Sequence, residues 1–427
     1  MSDGQQAPGR ASARGKFGWC LYDWANSAFP TVISTFVFAT YFTRELAPDE
    51  TTGTVWWGWA SALTALLAAI GAPVLGAIAD RSGGRKPWIV AFSLLNAAGC
   101  ALLFFAAPGL DWTLWALFWV VAASLAFEYA QVFYNAMLKE LAAPGEVGRL
   151  SGWGQGLGYA GALVCLIVAL KLFVQNPAIS HEAAFNVRAT TLLTAGWLLV
   201  FTVPLLLWTP DRPSTSISAA AAVQAGLGQL VASLKRLRHR REVVVYLIAS
   251  MLYTDGLTTL FTFGGIYAAG TFGLSFEQIL LFGILLNITA GIGAAAFAWV
   301  DDAIGPKKTI LLSLVFLTLL GTALLLVSDA FWFWILGAGL GIFVGPAQAA
   351  SRTLMAYLAP AEEAGEMFGL FALSGKATAF LGPLLVGSLT AAFHSQRAGM
   401  SIVVIFFVIG GLLLLLGVPD RRGRAAG

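Results

Sequence analysis

Five ionisable side chains interrupt long apolar runs of the sequence: Asp23, Glu128, Asp255, Arg352 and Lys376. An ionisable group at the centre of a bilayer costs about 2.5–3.5 kcal/mol to insert, so each needs a reason to be there. A carboxyl group that is wet in one conformation and dry in another can take up a proton and give it back, because desolvation disfavours the charged form. An arginine can grip a substrate carboxylate through its fork of donors, or hold a neighbouring carboxylate ionised. Proton exchange and anion recognition are thus the chemistries on offer, and static bracing of helices is the alternative for each residue. Lys376, in "SGKATAF", can also reach an interface by snorkelling.

The rest of the chain says what surrounds them. Of 427 residues, 58% are hydrophobic and 11% charged, with mean hydropathy +0.78. A soluble domain carries about 25% charged residues, so this chain cannot cover a water-facing surface, and the composition reads as a polytopic membrane protein. The net charge of +3 is too small to point to nucleic acid. Cys20, Cys100 and Cys165 fall in apolar runs without metal-ligand spacing and read as packing residues. The polar leader precedes an apolar run of roughly 26 residues, longer than the h-region of a signal peptide, so no such peptide is expected.

Windows of about 20 apolar residues predict twelve helical spans: 17–43, 55–79, 88–107, 112–137, 150–174, 190–208, 243–269, 276–300, 309–327, 331–357, 367–392 and 399–418. Run length and the absence of period-two alternation favour helices over barrel strands. Twelve spans put both termini on one face, and 19 of the 25 Lys and Arg residues fall on that face against four on the other. The positive-inside rule makes the termini cytoplasmic. The expected organisation is a cytoplasmic leader (1–16), a six-helix half (17–208), a linker (209–242), a second six-helix half (243–418) and a cytoplasmic tail (419–427). The linker ends in "SLKRLRHRR", which reads either as a basic amphipathic helix on the membrane surface or as a solvated connector.

The two halves echo each other in order. "LYDWANSAF" has a counterpart in "LYTDGLTTLF", so Tyr22 and Asp23 answer Tyr253 and Asp255. "DRSGGRKP" answers "DAIGPKKT", pairing Asp80 with Asp302 and Lys86 with Lys308. "AQVFYNAMLKEL" answers "AQAASRTLMAYL", pairing Gln131 with Gln348 and Asn135 with Arg352. Two six-helix repeats about an axis along the membrane normal are an architecture of secondary transporters.

The loop "GAIADRSGGRKPW" resembles the one joining the second and third spans of the major facilitator superfamily. Together with "YDWANSAF", "FYNAMLKEL", "SGWGQGLGYAGALV", "YTDG" and "QAASRTLMAYLAPAEEAGEMFGLFALSGKATAFLGP", it resembles the autophagy-linked vacuolar amino-acid effluxers of fungi and their bacterial relatives. The resemblance implies an all-α major facilitator fold with two pseudo-symmetric halves, and export of a small solute of the amino-acid kind. In that fold spans 1, 4, 7 and 10 line the central cavity, and Asp23, Glu128, Asp255 and Arg352 fall one on each. The uncharged polar residues Asn26, Gln131, Asn135, Gln155, Asn287 and Gln348 are expected to line the same cavity, with Tyr22 and Tyr253 shaping it. Of the paired carboxylates, Asp255 lies nearer the midplane and is the better candidate for the proton.

Asp80, Arg81, Gly84, Arg85 and Lys86 form a separate group at a span end. A carboxylate and three cations on a tight glycine turn could make salt bridges across the halves that hold one conformation and release in the other. The second copy, "DDAIGPKK", lacks the arginine and the glycine pair, so the gating expectation does not extend to it. The expectation is therefore a proton-coupled, alternating-access exporter, monomeric and without metal or cofactor, in a bacterial inner membrane. The alternatives are a membrane-embedded enzyme or a sensor built on the same fold. His181, His239 and His394 lie in loops or at span ends, and no HExxH, GxSxG or GxxxxGK[ST] pattern occurs, which speaks against hydrolytic or ATP-driven chemistry.

Overall fold

In a computed structural model the described residues are 11–213 except 144, 240–420, and positions 224, 225, 228, 232, 235 and 237 between them. The expected amphipathic helix of the linker falls largely outside them, as do most of the leader and of the tail. Among the described residues the regular structure is all helical.

Twelve spans succeed one another. α1 starts as Ala13–Asn26 and continues through Pro30–Phe36, Phe38–Tyr41 and Phe42–Leu46. Then come α2 (Glu50–Ser82), α3 (Lys86–Leu103), α4 (Thr113–Ala136), α5 (Val147–Val168, extended by Ala169–Val174) and α6 (Phe185–Trp208). The second half holds α7 (Arg241–Phe272), α8 (Phe276–Ile304), α9 (Pro306–Leu326) and α10 (Ala330–Leu358). It ends with α11, broken into Ala364–Ala377 and Leu381–Phe393, and α12 (Gln396–Gly417). Among the described residues eleven of these spans are long and apolar enough to cross a membrane. α1 is the exception, because Pro30 has no N–H to continue the ladder and the helix runs on with wider, π-type turns.

Local chemistry sets the ends. The Asp49 carboxylate accepts the N–H groups of Thr51 and Thr52 at 3.0 and 2.9 Å and starts α2. Ser275 and Gln278 form a reciprocal capping box on α8. Gly305, at φ +91°, turns the chain from α8 into α9, where Pro306 occupies the first helical position. The outer surface is apolar, with Leu114, Leu326 and Leu416 each at least 75% exposed, the reverse of a soluble protein and what a hydrocarbon solvent requires.

The halves meet along two seams, α2 against α11 and α5 against α8, and small residues let the backbones touch there. A Cβ added at Gly76 would lie 2.2 Å from the Gly365 carbonyl oxygen, and one at Gly152 would lie 2.6 Å from the Ala298 Cβ. Both seams lie toward the face that holds the first and last described residues. On that face the Ala11 N–H reaches the Leu141 carbonyl, Lys16 pairs with Glu146, and Lys308 pairs with Asp420 at 3.1 Å. Lys16, with Arg149 beside it, holds the Glu146 carboxyl below its usual range.

Candidate functional site

A cavity of about 420 Å³ opens between the halves, within the range of about 300–1,000 Å³ typical of small-molecule sites. Its floor is an ion pair. Arg352 on α10 donates to the Asp23 carboxylate on α1 at 3.0 Å, to the Asn135 side-chain oxygen on α4 at 3.3 Å, and to the Ser151 hydroxyl and carbonyl on α5 at 3.0 and 2.6 Å. Its guanidinium also lies over the rings of Trp19 and Tyr134, at 5.2 and 5.7 Å. All of these partners belong to the opposite half. The Asp23 and Arg352 side chains are only 6% and 7% exposed.

A second pair stands in the wall. The Lys376 ammonium on α11 reaches Glu128 on α4 at 2.7 Å, with 34% and 20% of the side chains exposed. Lys376 therefore faces the cavity and does not snorkel. Gln348 accepts from Gln155 at 3.1 Å and from the Tyr159 hydroxyl at 2.7 Å, also across the halves. Gln131 and Asn135 complete the polar lining on α4. The repeat explains the arrangement: Gln131 and Gln348 are equivalent and both line the cavity, and equivalent Asn135 and Arg352 touch each other.

Five expected lining residues lie elsewhere, and helix phase is the reason. Successive residues sit 100° apart around a helix. On α1, Asp23 and Ser27 face the cavity, so Tyr22 and Asn26 turn into the packing, where the Tyr22 hydroxyl meets Ser93 at 2.9 Å. On α7 the facing residues are Ser250, Thr254 and Thr258, a hydroxyl every fourth position. Tyr253 and Asp255 flank that row and are buried behind it, Tyr253 bonded to the Ser351 hydroxyl at 2.7 Å. Asp255 has Thr378, at the break of α11, as its polar neighbour, and no ion pair to it occurs among the described residues. Asn287 on α8 is spent on the Gly283 carbonyl of its own helix. Sequence reading missed Ser151, Tyr159 and the α7 hydroxyls. The four-residue spacing was the available signal for the latter.

The loop after α2 works differently from the expected bridges. Arg85, almost fully buried, pairs with Asp80 at 3.3 Å and Glu140 at 3.1 Å, and Lys86 donates to the Leu206 carbonyl, all within the first half. Gly84 packs under Asp211, whose carboxylate accepts the N–H groups of Arg85 and Lys86, and Arg81 is exposed. Asp80 does cross the halves. Its carboxylate accepts the N–H groups of Gly365 and Glu366, each at 2.9 Å, in the first turn of α11, where unsatisfied donors and the helix dipole favour an anion. The second copy does the same, against the sequence expectation. Asp302 accepts the Arg149 N–H at 3.1 Å and that of Gly148, in the first turn of α5. Two equivalent carboxylate clasps thus link the halves near the termini face. Asp302→Ala is expected to raise the alkylation rate of a cysteine placed at Ala350, 1% exposed beside the α5–α8 seam, by about tenfold or more, the loss of a charge-assisted hydrogen bond. An unchanged rate would show that the clasp does not hold the seam.

Comparison with known proteins places this architecture. The family described as "Vacuole effluxer Atg22 like" matches residues 57–147 and 145–427. The chain belongs to that family. It is 28% identical to the MFS-type transporter YxiO of Bacillus subtilis (strain 168) over 410 residues, 94% of each chain. It is 23% identical to autophagy-related protein 22 of Coccidioides immitis (strain RS) over 308 residues, 65% of this chain but only half of the fungal one. Among solved structures it resembles the proton:xylose symporter XylE (TM-score 0.76, 16% identity, 96% and 97% of the two chains). It resembles FucP in the outward conformation equally well (TM-score 0.76, 14% identity, 95% and 99%). The fold is that of the major facilitator superfamily, and this Atg22-like protein is an integral, multi-pass membrane transporter, not an enzyme.

Proposed function

We propose that this Atg22-like chain exports a small zwitterionic solute of the amino-acid class by alternating access, in exchange for protons, from a cell whose cytoplasm faces the termini. The observation that carries the reading is the central cavity with one ion pair in its floor and another in its wall. Cations and carboxylates offered together suit a solute that carries both signs. Kinship with amino-acid effluxers supports the solute class and direction, and the bacterial relative supports a plasma-membrane location. Proton coupling draws support from the symport named for the fucose and xylose carriers of like fold, and from Asp255, a buried carboxyl without a cation. Such a group exchanges its proton only when a change of state brings water to it. Closure of both clasps corresponds to the outward-facing state, with the cavity screened from the cytoplasm.

The test is uptake of a panel of amino acids into proteoliposomes, with and without an imposed pH gradient. Transport of a zwitterion that accelerates with the gradient is the expected result. Equal rates under both conditions for every transported solute would remove the proton from the cycle. Asp255→Asn is expected to leave exchange of solute at equal concentrations intact while abolishing accumulation against a gradient, and accumulation by this variant would free Asp255 of the proton role.

A further inference from the structure

The two ion pairs are unequal, and the geometry points to a division of labour: we infer that Lys376 and Glu128 are the charged contacts for the solute, its carboxylate on Lys376 and its ammonium on Glu128, whereas Arg352 is an internal bolt and not the carboxylate site. The inference rests on the proposed zwitterionic solute and assigns its two ends.

Donor accounting decides between the cations. A guanidinium has five N–H donors in a fixed fork, and Arg352 makes four hydrogen bonds, two to Ser151 and one each to Asp23 and Asn135, with aromatic rings beside its faces. A solute carboxylate could bind there only by displacing contacts that tie α10 to three helices of the other half. Lys376 has three donors, one named acceptor and a side chain one-third exposed to the cavity. Among the described residues Glu128 accepts a single bond, through one oxygen, and leaves the other available. A zwitterion entering beside this pair can trade one ion pair for two without leaving a charge unpaired, which is the costly outcome in a desolvated site. Phe127 and Phe371 line the same cavity and offer an apolar surface to the solute side chain.

The probes are L-phenylalanine, its methyl ester, which lacks the carboxylate, and N-acetyl-L-phenylalanine, which lacks the ammonium. Binding is measured by titration calorimetry on the purified full chain, for wild type, Lys376→Gln and Glu128→Gln, with monodispersity checked for each. Wild type is expected to prefer the zwitterion. Lys376→Gln should weaken the zwitterion and the N-acetyl form by about tenfold or more while sparing the ester. Glu128→Gln should weaken the zwitterion and the ester by a similar factor while sparing the N-acetyl form, since each removes one charge-assisted contact. If wild type binds the zwitterion but Lys376→Gln leaves both carboxylate-bearing probes unaffected, Arg352 is the carboxylate partner and the inference is overturned. A wild type that binds none of the three overturns the amino-acid reading itself, and the assignment with it.

Discussion

Replacing Arg352 with alanine is expected to leave a protein that opens at the termini face and no longer transports. The substitution removes the four bonds that the Arg352 side chain makes to Asp23, Asn135 and Ser151 and leaves the Asp23 carboxylate buried without a cation. Breaking a buried pair by removing one partner costs about 3–5 kcal/mol, more than a conformational equilibrium of a few kcal/mol can absorb. Because all of these partners lie across the halves, the cost falls mainly on the closed form and the balance shifts toward the open one. Asp23→Asn should do less harm, since an amide still accepts from the guanidinium, and the double variant Asp23→Asn/Arg352→Gln should recover part of the loss because no buried charge is then unpaired. The measurement is the distance between spin labels at the exposed positions Arg81 and Glu362, on opposite halves of the termini face. A lengthened distance in Arg352→Ala, partly restored in the double variant, is the expected pattern. Equal distances in all of them would mean that the pair does not bolt the halves.

The second large effect is expected at Gly76. Alanine is the better helix former by up to about 1 kcal/mol, so on helix propensity alone Gly76→Ala should stabilise α2. The seam decides otherwise. The new methyl group would lie 2.2 Å from the Gly365 carbonyl oxygen and 2.4 Å from its carbon, and these are backbone atoms that no rotamer change can move aside. Forcing a methyl group into a closed contact costs about 1–3 kcal/mol, and the strain exists only while α2 and α11 touch. Gly76→Ala should therefore keep or raise the thermal stability of the carrier while shifting the same spin-label distance toward the open form by about fivefold to a hundredfold in population. Gly58, with open space around its Cβ position, is the control on the same helix. A seam that stays closed in Gly76→Ala would show that α11 can slide to make room.

Much of this was legible in the sequence, for identifiable physical reasons. Hydrocarbon imposes long apolar runs, so all twelve spans could be found by length alone, and the order of the repeat motifs placed Gln131, Gln348, Asn135 and Arg352 in equivalent positions. Rotation about each helix axis was not legible. The depth of a residue follows from counting along the run, but the direction it faces depends on packing, which is why Tyr22, Asn26, Tyr253 and Asp255 were expected at the cavity and lie behind it. In α1 and α7 apolar residues face lipid and neighbouring helices alike, so hydrophobic periodicity does not single out the narrow cavity-facing strip. The row Ser250, Thr254 and Thr258 did carry it, yet hydroxyls are inconspicuous in membrane helices because they can bond to their own helix. The clasps were hidden for another reason. Half of each is a backbone N–H, which leaves no trace in residue types. The missing arginine and glycine pair of "DDAIGPKK" pointed away from a contact that needs only the carboxylate of Asp302 and the free first turn of α5.

The paired clasps bear on leakage. Asp80 of α2, clasped to α11, and Asp302 of α8, clasped to α5, are related by the repeat, so tilting one half against the other strains both together. A motion that opened one clasp alone would have to twist the halves about the bilayer normal, against the Arg352 bolt between them. On the proposed cycle the passage toward the termini face would then be shut or open as a whole, and no half-released form through which small ions could slip is expected. A carrier built this way can sit in an energised membrane without short-circuiting it.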